Sequence, residues 1–112
     1  MERIYKKLVR DSIPDIILSK EETPVTKVLN DEEYKKALEE KLYEEYKEVV
    51  SSSGYDRCEE LSDMIEVIRA LSKLENKTLD EIIKIADEKR SKRGGFDKKI
   101  FLEKVIEKER ER

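Results

Sequence analysis

Apolar residues recur along this chain at intervals of three and four, the spacing of amphipathic helices, in blocks separated by Pro, Gly and Ser. Residues 11–20 read as a short helix capped by Asp11 or Ser12, with Pro14 tolerated in its first turn. Pro24 ends any continuation. Val25-Thr26-Lys27-Val28-Leu29 is a brief extended segment, an arm or edge pairing too short to support a sheet. Asn30-Asp31-Glu32-Glu33 places an N-cap ahead of a Glu at the third helical position and opens a long helix to about residue 50, where Ser51-Ser52-Ser53-Gly54 breaks it. The next helix covers roughly residues 55–74. After the turn Glu75-Asn76-Lys77, Thr78-Leu79-Asp80-Glu81 makes a capping box for a helix ending in Lys89-Arg90-Ser91-Lys92-Arg93-Gly94. A last block from Asp97 carries Ile100, Phe101, Leu102, Val105 and Ile106, and beyond Glu107 the wholly charged tail should fray. The expected fold is all-α: a bundle of four to five helices with a short extended N-terminal segment. It forms a single domain over residues 1–112 whose core is completed by oligomerisation.

The acidic residues do not all fall on the polar faces. On the second helix Glu45 sits in the middle of the stripe formed by Leu38, Leu42 and Val49, and Glu48 lies on its shoulder. On the third, Glu60 lies inside the apolar arc of Leu61, Met64, Ile65, Val67, Ile68, Leu71 and Leu74, with Asp63 at its edge. Two consecutive helices thus aim an i, i+3 acidic pair into one shared seam. Burying unpartnered carboxylates together costs several kcal/mol unless protons or a cation neutralise them. Oxygen-only ligands suit Mg²⁺ or Mn²⁺, and Mg²⁺ keeps open positions for substrate phosphates. Against this, Glu and Asp are so abundant that some must fall near apolar faces by chance. Lys41 is also placed to pair with Glu45 and Glu48 along the helix.

Composition narrows the chemistry. With 25 Lys+Arg, 28 Asp+Glu and 47% charged residues the chain has a disorder-like composition, but its net charge is only −3 and its periodicity favours folded helices. It has no His, which excludes Ser-His-Asp and Cys-His nucleophile systems, His-ligated zinc and an imidazole shuttle. Cys58 is alone, so an intrachain disulfide and a cysteine-cage metal site are excluded. None of the three glycines forms a P-loop or a dinucleotide fingerprint. There is no run of about 18 apolar residues, and Met1-Glu2-Arg3-Ile4 lacks a signal-peptide core. The expected location is the cytoplasm, with no membrane partner. A slightly acidic chain without a basic stripe of interleaved aromatics is not expected to bind nucleic-acid polymers.

Glu44-Glu45-Tyr46-Lys47-Glu48 followed by Glu60-Leu61-Ser62-Asp63 has the form Glu-Glu-x-x-Glu then Glu-x-x-Asp. It resembles the signature of the MazG-like all-α nucleoside triphosphate pyrophosphohydrolases. Tyr5 to Pro14, Val28 to Tyr34 and Arg93-Gly94-Gly95-Phe96 look like the standalone proteins of that superfamily labelled phosphoribosyl-ATP pyrophosphohydrolase-like. The resemblance covers nearly the whole chain, and the short link between Glu48 and Glu60 points to the compact end of the fold. It implies hydrolysis of a nucleotide between its α- and β-phosphates, with Glu45, Glu48, Glu60 and Asp63 as Mg²⁺ ligands. It also implies a homodimer or homotetramer. Glu45 and Glu48 are the candidate catalytic carboxylates, Glu45 orienting or deprotonating the attacking water. Lys89 and Arg93 at a helix C-terminus, and Lys7 and Arg10 before a helix start, are candidates for the substrate phosphates. Positive charge at a helix C-terminus is favoured in any protein, so the basic cluster also has a structural reading. The other function class is a non-enzymatic helical oligomerisation or interaction module in which the acidic residues form a salt-bridge network.

Overall fold

The computed structural model describes residues 1–109 and is all-α. Four helices follow one another: α1 (Ile13–Ser19), α2 (Asp31–Val50), α3 (Gly54–Leu74) and α4 (Leu79–Arg93). The chain falls into two units, Met1–Leu79 and Asp80–Arg112, with the boundary in the first turn of α4.

The caps act largely as the sequence predicts. In α1 the N-cap is Ser12, without a side-chain capping bond, and Pro14 sits in the first turn. At α2 the capping box closes in both directions: Asn30 Oδ1 accepts from the Glu33 backbone N–H at 2.8 Å, and the Asn30 N–H donates to Glu33 Oε1 at 3.1 Å.

The serine link is more than a breaker. Ser51 Oγ donates to the carbonyls of Lys47 and Glu48, and Ser52 Oγ donates to Glu48 O at 2.6 Å. From the start of α3, Arg57 Nε donates to Val49 O at 3.1 Å and Ser52 O at 2.8 Å. The last carbonyls of α2, which have no partner within their own helix, are therefore satisfied by the residues that turn the chain. Gly54 makes the turn at φ +60°, a left-handed conformation that an L side chain resists.

So short a link lays α3 back along α2, and α2 against α3 is the helix–helix packing of the described residues. Leu38 and Val67 are its two buried apolar side chains, accompanied by the polar Glu45 and Ser72. Ser72 satisfies its hydroxyl by donating to Ile68 O at 2.7 Å. Leu61, Ile65 and Leu74, expected within the buried arc, are each more than a third exposed. A single neighbouring helix covers only one side of that arc.

Outside the helices, segment 25–29 takes the first of its two expected forms and the block from Asp97 departs from expectation. Segment 25–29 joins no ladder, and Val25 and Val28 are almost fully exposed, so it is an unpaired arm. The block from Asp97 is not helical: a turn at residues 96–98 leads into irregular chain, with Ile100, Phe101, Leu102, Val105 and Ile106 exposed. An amphipathic run this short does not hold a helix without a surface to bury its apolar face. The fraying expected beyond Glu107 falls largely on residues 110–112, which lie outside the described residues. No helix among the described residues is long and apolar enough to cross a membrane.

Candidate metal centre

Glu45 projects from the packed face of α2, and Glu60 and Asp63 stand one turn apart on α3. Each offers a carboxylate oxygen, and the three oxygens lie within 4.8 Å of one another. The hairpin causes the convergence: helical periodicity puts the three on facing stripes, and the capped serine link brings the stripes together.

Glu45 is the unusual member. It is 8% exposed, and its Oε2 is buried without a hydrogen-bond partner. Its Oε1 lies 3.9 Å from Lys41 Nζ, which is closer to Glu44 Oε2 at 3.2 Å. Lys41 thus leans toward the more exposed carboxylate and compensates Glu45 only in part. Burial foremost, and then the negative charge of Asp63, push the Glu45 carboxyl above its ordinary range; Lys41 opposes the shift, and Glu60 and Glu44 add to it.

Asp63 has its own cation. Arg10, from the segment preceding α1, donates from Nη2 to Asp63 Oδ1 at 2.6 Å. Both partners are about half exposed, so the bridge adds little to stability. It does place a permanent positive charge at the rim of the acidic group.

An octahedral Mg²⁺ holds oxygens about 2.0–2.1 Å from its centre, so ligand oxygens lie roughly 3–4 Å apart. A separation within 4.8 Å needs only a small closing movement to meet that geometry. An all-oxygen donor set with one buried and unsatisfied atom fits a hard divalent cation and gives nothing to a thiophilic metal.

The other expected residues are placed differently. Glu48 is exposed and stands outside the group of three. It lies on the shoulder of the α2 stripe, in the last turn before the link, where its backbone carbonyl receives the serine hydroxyls. Lys7 is exposed, with Nζ 5.7 Å from the centre of the Tyr5 ring. Lys89 and Arg93 are exposed on α4, where Arg90, Lys92 and Arg93 put positive charge on the last turn. The sequence held no signal for the Arg10–Asp63 bridge, which joins residues 53 positions apart.

No family model and no solved structure matches this chain. Over 49 residues, 44% of the chain, it is 45% identical to a protein of Mycolicibacterium smegmatis described only as uncharacterized. The match spans 50% of that relative's length.

Proposed function

We propose that this chain is a Mg²⁺-dependent nucleotide pyrophosphohydrolase, Mn²⁺ being able to substitute. It would cleave between the α- and β-phosphates to give a nucleoside monophosphate, or phosphoribosyl-AMP, and pyrophosphate. The observation that carries the reading is the buried, unpartnered Glu45 Oε2 beside Glu60 and Asp63. Buried negative charge without compensation is costly, and a doubly charged ion supplies what one distant lysine does not. The Glu-Glu-x-x-Glu and Glu-x-x-Asp spacing supports the same reading.

In this proposal Glu45, Glu60 and Asp63 would hold the ion, whose chemistry would be to offset negative charge on the phosphate oxygens. Glu45 is also proposed to orient the attacking water and take its proton. Glu48, one helical turn further on and open to solvent, is available on the substrate side. Arg10 is the cation best placed to meet a phosphate, because it already stands at Asp63. Lys7, Lys89 and Arg93 are proposed as further phosphate ligands on charge alone. No covalent intermediate is required, in keeping with a chain that lacks His. The working form is proposed as a cytoplasmic homodimer or homotetramer.

The many exposed apolar side chains favour a second reading, a helical oligomerisation or interaction module without activity. A pyrophosphate-release screen separates the two. Canonical, deoxy, oxidised and phosphoribosyl nucleotides would be compared with and without Mg²⁺. The enzyme reading predicts metal-dependent release from at least one class, abolished by Glu45→Gln. A flat response across the panel favours the module.

A further inference from the structure

The segment ahead of α1 reaches the acidic group through a long-range bond and is otherwise lightly held. Arg10 Nη2 donates to Asp63 Oδ1 at 2.6 Å. Residues 1–12 have no buried side chain, only Leu8 being half-buried, and α1, which follows, has none either. Arg3 pairs with Glu22 at 2.6 Å, but both precede α2, so that bond ties neither to the hairpin. A segment attached in this way stays or leaves on interactions no larger than one exposed ion pair.

Lys41 and Arg10 approach the acidic group differently. Lys41 sits on α2 with Glu44 and Glu45, one turn of the same helix away, and stays there whatever Asp63 binds. Arg10 belongs to the lightly held segment, and its charge rests on a carboxylate that a divalent ion would also use. A guanidinium in hydrogen-bond contact with Asp63 offsets the negative charge that attracts such an ion, and it repels the ion across a few ångströms. Arg10 and a divalent cation are therefore antagonists at Asp63. The half-exposed Arg10 side chain can return to water without opening any packed surface.

We propose that Arg10 is a displaceable counter-ion of Asp63, and that residues 1–12 form a strap held to α3 by this bond and let go when a divalent cation takes the carboxylate. The proposal rests on the reading of Glu45, Glu60 and Asp63 as a metal centre and adds a conformational consequence to it. The coupling is reciprocal: Arg10 weakens cation binding by the same factor by which the cation weakens docking of the strap. Once released, the guanidinium remains tethered three residues ahead of α1 and is free to pair with an anion such as a phosphate oxygen.

Two readouts on wild type and Arg10→Gln test this. Mn²⁺ affinity is measured by electron paramagnetic resonance, and backbone ¹⁵N order parameters of residues 7–12 are measured with and without Mg²⁺. The Arg10 side chain is 56% exposed, so its replacement should leave the hairpin folded. Arg10→Gln should bind Mn²⁺ about three- to tenfold more tightly than wild type. On adding Mg²⁺, the wild-type order parameters should fall toward the flexible range below about 0.6, and toward those of metal-free Arg10→Gln. In the variant Mg²⁺ should change them little. Equal or weaker Mn²⁺ binding by Arg10→Gln overturns the proposal and leaves the metal centre standing, as does a wild-type strap whose order is unchanged or raised by Mg²⁺. Absence of saturable Mn²⁺ binding in both proteins overturns the metal centre and the proposal with it.

Discussion

Burial of one Glu45 oxygen without a hydrogen bond gives the metal-free protein a pH-dependent contribution to stability. Because burial and Asp63 raise its affinity for a proton, the folded chain holds that proton at pH values where the unfolded chain has released it. In that window the native state binds more protons, so stability falls as pH rises. Its contribution is level below the ordinary carboxylate range, declines as pH climbs through the raised Glu45 value, and levels again above it. With EDTA present, wild-type Tm should decline across that window. Glu45→Gln should flatten the decline and give the higher Tm above it, as should Glu45→Leu. Thermal denaturation monitored by circular dichroism across pH checks this. A Glu45→Gln variant that is less stable, with an unchanged slope, would make the carboxylate a structural partner of Lys41 instead of a metal ligand.

Among the elements, the residues that start and stop helices govern the hairpin. Asn30→Ala removes an acceptor for the Glu33 N–H and should cost about 1 kcal/mol. Gly54→Ala meets no steric obstacle, since nothing lies within 4 Å of an added Cβ, yet it forces an L side chain to φ +60°. It should also cost about 1 kcal/mol. Urea unfolding reads both effects, and neutral results would mean that these caps do not hold α2 against α3. Both features were legible in the sequence, because capping boxes and turn glycines act over a few residues. So were the facing stripes of Glu45, Glu60 and Asp63, which follow from helical period and a short link. The helix expected from Asp97 was not, because periodicity records an apolar face without recording whether anything covers it. Glu48 lay on the shoulder of its stripe, where a pattern does not separate buried from exposed. The Arg10–Asp63 bridge depends on where the segment before α1 lies in space, which no local pattern specifies.

At the level of the whole molecule, the acidic group spans two helices that share a core of only two buried apolar side chains. An ion gripped from both sides would tie α2 to α3, and any ligand that binds only the folded form adds to its stability. Metal binding and folding should therefore be coupled through the same three carboxylates. The direct measurement is a Mn²⁺ titration of the metal-free protein followed by electron paramagnetic resonance, comparing wild type, Glu45→Gln and Glu48→Gln. One saturable site per chain is expected, weakened at least about tenfold by Glu45→Gln and little changed by Glu48→Gln. No saturable binding, or equal affinity in wild type and Glu45→Gln, would contradict a metal held by Glu45, Glu60 and Asp63.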